Sequence, residues 1–488
     1  MSISDIRNNI VSSKLMTAAV TKLVDFTQNR VPFDANNPFL LGPFSPVKEE
    51  VFSTDLVVHG VIPSSLNGVF LRIGPNPIEV KNPANYNWFV GDGMVHGLRL
   101  KEGKALWYKN RYVGTHRVHE KLGRKKIAGE PRNSNDIVNT SLIGHAGKIW
   151  ALIESGPLPI ALDAELNSLQ YGLFNSKDNY PFTAHPHTDP DTGELHAICY
   201  DALLPMQVYY QVIDIDGQIK KRITVPVKHG PMMHDCSMTK TKMLILDFPV
   251  TFSFGQMLKG TQLPYAWNVK HAARVGLLPK EGTATDIRWF DVEPCMIFHT
   301  FNAYDLDNGD VVMDACVHDK TFTESIQGPV DKQKIQFERW TFQHSNNQVK
   351  REVISAIPQE FPRIDERYTS KPYRFAYSIS VGNEGELADT ANLNANNLLV
   401  HDLEIGKTIK YSFGEEYITG EVVFVPKHRD SEEGDGWLIS YIHAIDATKP
   451  SKVVILDSKR IGQEPQAIID LPVRVPLGFH ANWVDEVI

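Results

Sequence analysis

Four histidines far apart in the chain each sit beside a short apolar run. They are His185 in Phe182-Thr183-Ala184-His185-Pro186, His234 in Pro231-Met232-Met233-His234-Asp235, His299 in Ile297-Phe298-His299-Thr300-Phe301, and His480 in Pro476-Leu477-Gly478-Phe479-His480-Ala481. An imidazole on an apolar strand must find a partner for each ring nitrogen or lose about 1–3 kcal/mol as a buried unsatisfied group. One shared metal ion would satisfy all four. Four neutral nitrogens, with no carboxylate or thiolate among the ligands, suit a divalent iron that keeps positions open for oxygen. The plainer alternative stands beside this one. The chain has 18 histidines, and a histidine near aromatics is more often an ordinary core or surface group than a ligand. His116, His119, His318 and His428 lie among charged or loop residues and read as surface groups. His187, in the polar run His187-Thr188-Asp189-Pro190, reads as a turn residue, and His96 in Gly91-Asp92-Gly93-Met94-Val95-His96-Gly97 stays open. On the residues alone, a four-histidine iron site and four unrelated histidines both remain.

The elements that must position these residues are strands. From about residue 50, short apolar or alternating runs such as Gln207–Ile213, Val311–Ala315 and Val453–Leu456 are separated by turn chemistry. Asn67-Gly68, Asp191-Thr192-Gly193, Asp216-Gly217, Asp307-Asn308-Gly309 and Asp435-Gly436 read as hairpin turns. Phe254–Lys259 is a possible short helix. No linker or shift of composition divides residues 50–488, so this span is one all-β domain, too large for an ordinary sandwich. A β-propeller of seven blades, about 60 residues each, solves the edge problem at this size. The histidine spacings of roughly 50, 65 and 180 residues fall near one, one and three blade lengths, so inner strands of different blades can converge on one axis.

Ahead of the propeller, Ile6, Ile10, Leu15, Ala18, Leu23 and Phe26 recur at helical spacing. A Pro-containing arm with Phe39-Leu40-Leu41 and Phe44 follows. The division is therefore residues 1–45, an amphipathic helix and arm, and residues 46–488, the propeller with a helical and loop cap. The helix either packs on the main body or lies in a membrane interface, which would serve a lipid-like substrate.

Bulk composition excludes several classes. Hydrophobic content of 42%, charged content of 22% and a net charge of −8 describe a soluble protein with no basic face for nucleic acid. Cys199, Cys236, Cys295 and Cys316 form no C-x-x-C pair, which fits a reducing, cytoplasmic setting and argues against thiolate zinc sites. Cys236 and Cys295, close to His234 and His299, read as small core residues. No apolar run is long enough to span a membrane, and no obligate protein partner is evident.

Several ordered stretches carry a family resemblance. Phe70-Leu71-Arg72-Ile73-Gly74-Pro75-Asn76-Pro77, Trp88–Gly97, Asn139-Thr140-Ser141, Phe182–Pro186, Met232-Met233-His234-Asp235, Ile287-Arg288-Trp289-Phe290, Phe298-His299, Glu421–Pro426 and Gly478-Phe479-His480 resemble the carotenoid cleavage dioxygenases over nearly the whole chain. The resemblance implies a seven-bladed propeller with one Fe(II) per chain, held on the axis by His185, His234, His299 and His480, and O₂ as co-substrate. It implies three glutamates behind the ligands: Glu154, Glu360 and Glu421. A ligating imidazole usually donates its other N–H to such a carboxylate, which fixes tautomer and ring orientation. It also matches Thr140 to a residue whose methyl crowds the open coordination position. Phe298 and Phe361 become candidates for the wall of an apolar tunnel. The implied reaction adds both atoms of O₂ across a carbon–carbon double bond of a polyene and yields two carbonyl products.

One subgroup of the family cleaves stilbenes and phenylpropenes. It carries a Lys just before the first of these glutamates, and a Tyr or Phe after an Arg-x-Val-x-Thr-x-Arg stretch, both binding the phenol. Here those positions read Ile153 and Val118, neither able to hydrogen-bond a phenol, which favours a hydrophobic carotenoid or apocarotenoid. Stilbene cleavage by the same iron chemistry remains the alternative. An iron-dependent isomerase or a non-catalytic propeller is the alternative of another class.

Overall fold

The computed structural model describes residues 22–23, 26–132, 136–202, 204–323, 327–328, 332–388 and 396–486. Seven antiparallel sheets of four or five strands make up the propeller, and a two-stranded ribbon, Val250–Phe252 with Tyr265–Trp267, projects from one of them. The burial of each strand follows its place in its blade. Middle strands such as Leu195–Tyr200, Val311–His318 and Gly436–Ala444 are buried along their whole length, because neighbouring blades cover both faces. Their sequences are accordingly mostly apolar without strict alternation, with a few buried polar residues such as His196, Asp314 and Ser440. Outermost strands such as Ile219–Pro226 and Gln348–Ser355, rich in Lys and Arg, face solvent. The expected turns at Gly193, Gly217 and Gly309 lie between paired strands with φ of +73°, +80° and +86°, which glycine adopts without a Cβ penalty.

The ring closes twice. The strand Ala481–Asp485 pairs with Gly68–Pro75, so one blade is built from both ends of the described chain. The next blade, Tyr417–Asp470, takes Val58–Gly60 as its outer strand. Gly74 and Gly478 make the first closure possible: a Cβ on either would come within 2.6–2.7 Å of the other's Cα. Across the seam between these two blades Phe70 stacks on Tyr441, with ring centroids 4.9 Å apart and both side chains fully buried.

The innermost strands are Ser141–His145, His187–Thr188, Ser237–Met238, Met296–Asp305, Gln359–Ile364, Tyr417–Pro426 and Ala481–Asp485. Three of them carry β-bulges, at 297–300, 360–363 and 419–422, where the pairing register slips. Above one end of the axis, loops form a cap. The Trp88 amide donates to the Gln327 carbonyl at 2.8 Å, and the Trp267 amide to the Phe322 carbonyl at 3.1 Å.

The N-terminal arm packs on this cap through Phe39, 1% exposed, which stacks on Trp88. Of the expected amphipathic helix, Ile6, Ile10, Leu15 and Ala18 lie outside the described residues. Its last turn, 26–28, is helical, and the Thr27 hydroxyl donates to the Met257 carbonyl at 3.1 Å, in the short helix Phe254–Leu258.

Because Phe70 is fully buried in the closing seam, Phe70→Ala removes a large side chain from it. It is expected to cost about 3–5 kcal/mol, read as a lowered denaturation midpoint, whereas the exposed Val269→Ala should leave the midpoint unchanged.

Candidate metal centre and its two chambers

Each of the seven innermost strands brings one expected site residue to the axis or its vicinity. In blade order these are Thr140, His185, His234, His299, Glu360, Glu421 and His480, each within an innermost strand or in the few residues leading into it. The residues inside strands, His299, Glu360 and Glu421, lie at the three bulges. A bulge re-aims a side chain that regular alternation would turn into a blade face. The bulge at Glu360 puts Phe361 at φ +54°, a strained conformation for an aromatic residue. There the Phe361 amide donates to Glu360 Oε2 at 2.8 Å, and its ring stacks on His299.

The ligating nitrogens of the four histidines lie within 4.8 Å of one another. His234 Nε2 and His299 Nε2 are 3.3 Å apart. Their other nitrogens are committed: His234 Nδ1 to Glu154 at 3.1 Å, His299 Nδ1 to Glu360 at 2.6 Å, and His480 Nδ1 to Glu421 at 3.2 Å. With Nδ1–H donated to a carboxylate, the facing Nε2 atoms carry lone pairs, which repel unless a cation lies between them. His185 Nε2 is buried with no hydrogen-bond partner, a costly state that a metal bond would relieve. The residues therefore fit one metal ion with bonds of about 2.0–2.2 Å.

The electrostatic environment differs from one histidine to the next. Burial, and then the rings of His480 and His234, hold His185 well below the ordinary imidazole pKa, so it is neutral. Burial also lowers His480, with Glu421 opposing. At His234 burial acts downward, but the Glu154 carboxylate outweighs it and raises the pKa. Burial would raise Glu360 and Glu421. His299 with His318 reverses that at Glu360, and His480 with Arg363 reverses it at Glu421, so both stay ionised.

Two residues that sequence reasoning passed over complete the frame. His318, expected at the surface, is 2% exposed and donates Nε2–H to Glu360 Oε1 at 2.6 Å. Its signal was its place at the end of the buried run Val311–His318. Asp235 ties three ligand-bearing segments together: its carboxylate accepts from the Thr300 amide at 2.8 Å, the Cys236 amide at 2.7 Å and His187 Nε2 at 3.1 Å. His187, expected in a turn, lies in an innermost strand. His116 is buried rather than at the surface, and its Nε2 bonds the Ile127 carbonyl. His96 bonds Tyr108 and lies apart from the four histidines. Cys236 and Cys295 are buried, as expected of core residues.

The centre forms a wall between two chambers. On the cap side a cavity of about 140 Å³ is walled by aromatic and aliphatic side chains, and His234, His299 and His480 lie on its lining. Phe298, Phe361, Ile153 and Thr140 line it, along with Trp88 and Phe479. Phe298 meets His234 edge-on at 5.4 Å. The Thr140 hydroxyl is taken up by Asn139 Oδ1 at 2.9 Å, which leaves its methyl unheld. Val118 is elsewhere, buried against Met94 and Tyr112 in the short helix His116–Lys121, so it does not line this chamber. The opposite chamber, also about 140 Å³, has a largely polar lining and is bounded at the centre by His185, His299 and His480.

Comparison with known proteins accords with this geometry. Residues 44–485 match the family described as retinal pigment epithelial membrane protein. The chain is 36% identical to a carotenoid cleavage oxygenase of Mycobacterium tuberculosis, over 92% of this chain and 98% of that protein. It is 32% identical to carotenoid 9,10(9',10')-cleavage dioxygenase 1 of Arabidopsis thaliana, over 96% of this chain and 94% of that one. The crystal structure of Pseudomonas brassicacearum lignostilbene dioxygenase superposes with a TM-score of 0.80 at 28% identity, covering 93% of this chain and 100% of that one. The seven-bladed propeller with four converging histidines is thus an oxygenase of the carotenoid cleavage oxygenase family, to which this chain belongs.

Proposed function

We propose that His185, His234, His299 and His480 hold one Fe(II) per chain, and that the enzyme cleaves a carbon–carbon double bond of a carotenoid or apocarotenoid into two carbonyl products. The observation that carries this reading is the apolar chamber opening directly onto three of the four imidazoles. A ferrous ion bound there supplies the activation of O₂. The protein's tasks are to hold an extended polyene beside it and to exclude water. Phe298, Phe361 and Phe479 offer flat apolar surface to a conjugated chain, and Ile153 keeps the wall beside Glu154 free of hydrogen-bond donors. Glu154, Glu360 and Glu421 fix the tautomers of their histidines and offset the ion's charge. The Thr140 methyl narrows access to one side of the centre.

A second reading, cleavage of a stilbene or phenylpropene, is favoured by the likeness to the lignostilbene enzyme. Against it stands Ile153, which gives a phenol nothing to bind. Val118, remote from the chamber, bears on neither reading. An isomerase using the same ligands would consume no O₂.

The four cysteines, all buried and unpaired, support a cytoplasmic setting. Phe26, Phe254 and Leu258, 57%, 56% and 49% exposed, support peripheral contact of the cap with a membrane that stores the substrate. No described helix is long and apolar enough to cross one.

Turnover of β-carotene, an apocarotenal and 4-hydroxystilbene by the Fe(II)-reconstituted enzyme, with O₂ uptake and product masses recorded, tests the function. Polyene-derived carbonyls with stilbene untouched are expected; cleavage of stilbene alone would transfer the assignment to phenylpropenes, and product without O₂ uptake would make it an isomerase. His299→Ala should lose both bound iron and activity, and a metal-replete, active variant removes His299 from the ligands. Deleting residues 1–28 should lower sedimentation with liposomes while turnover of detergent-dispersed substrate is kept; unchanged liposome binding returns that segment to a packing role.

A further inference from the structure

The apolar chamber can admit a polyene, but it is a poor path for the ion. A hydrated dication loses its water shell in an aromatic tunnel, and only groups at the centre itself could replace it. The second chamber has the opposite character. Its two exposed lining residues, Thr188 and Glu366, mark the outer end, and polar groups continue inward through Asn482, Ser141 and Thr300 to the histidines. We propose that this polar chamber is the route by which a hydrated divalent metal ion enters and loads the centre, with His185 as the ligand that receives it. The inference rests on the reading of the four histidines as a metal centre.

Three observations support it. His185 lines the polar chamber and not the apolar one, whereas His299 and His480 border both. His185 is also the one ligand with no carboxylate among the described partners, so its ring is the least constrained of the four. The charges along the route leave carboxylate in excess. Asp235 is already engaged, accepting from His187 Nε2 at 3.1 Å and from the Thr300 amide at 2.8 Å. Arg363 lies between two carboxylates, 2.8 Å from Glu366 at the outer end and 3.7 Å from Glu421 at the inner end, and offsets only one of them. A cation arriving at Glu366 thus meets an attractive end, a polar wall and an unpartnered nitrogen in succession.

The test is the rate of Co(II) uptake by metal-depleted full-length protein, read by ligand-field absorption and by final metal content, so that no activity enters the measurement. Thr188→Trp and Ser141→Trp place bulk in the polar chamber, Glu366→Lys reverses the charge at its outer end, and Leu263→Trp places the same bulk in the apolar chamber. The polar-side variants are expected to load about tenfold more slowly, the Glu366→Lys deficit shrinking at high ionic strength, while Leu263→Trp loads at the wild-type rate. All should reach the same final occupancy, which shows the centre intact. Slowed loading in Leu263→Trp, with the polar-side variants unaffected, overturns the proposal. Equal rates in every variant overturn it as well, since loading would then follow general opening of the protein. Wild-type protein that takes up no Co(II) at all overturns the metal reading itself.

Discussion

The molecule is organised around the difficulty of bringing four imidazoles into one buried place with ring nitrogens facing one another. Each ring must be held in a single tautomer, and the hydrogen bond that holds it must come from behind. Glu154, Glu360 and Glu421 do this for three of the four. Buried carboxylates are costly in turn unless donors surround them. Glu360 therefore takes a second imidazole, His318, and Glu421 takes the Ala481 amide and a nearby arginine. The polar network is a closed set in which removing one member leaves another buried and unpaired.

A propeller suits this demand because every blade reaches the axis. Seven innermost strands allow seven independent choices of residue, and the chain uses them for four imidazoles, two carboxylates and a threonine. Glu154 comes from the turn after a blade's second strand, beyond the end of Lys148–Leu152. The bulges at His299, Glu360 and Glu421 show what precision costs locally: ladder hydrogen bonds are given up so that a side chain can leave the sheet's alternation. Two environments then follow from the loops at each end. Aromatic cap segments make one side apolar, and short polar strand entries make the other side polar.

Much of this was legible in the sequence. Continuous apolar runs broken by Asp-Gly and Asn-Gly turns marked the blades, since a strand covered on both faces has no need of alternation. The four histidines stood out by lying beside apolar runs at spacings near whole blade lengths, although buried histidines such as His196 and His443 occur in middle strands too. Glu154 and Glu421 could be placed only through family resemblance, because a glutamate near a strand end looks like any solvated carboxylate. His318 and Asp235 were missed because their roles are long-range. Asp235 bonds Thr300 from 65 residues away and His187 from 48, and nothing local distinguishes it from a turn aspartate. Val118 was misplaced for the opposite reason: its assignment came from counting along a loop of variable length, and the count ended in a helix packed away from the chamber.

The glycine contact between Gly74 and Gly478 carries a consequence for how the protein comes to be folded. His480 reaches the axis only when the strand after it docks on Gly68–Pro75, about 400 residues earlier in the chain. Contacts of such sequence separation are slow to form, because loop-closure entropy must be paid before they stabilise the fold. His480 and the closing seam thus depend on the same strand pairing, and an ion held by all four histidines would need a closed ring. Any free energy that the ion gains at the fourth nitrogen is added to ring closure. An ion bound by all four histidines would therefore favour the closed ring over the open one.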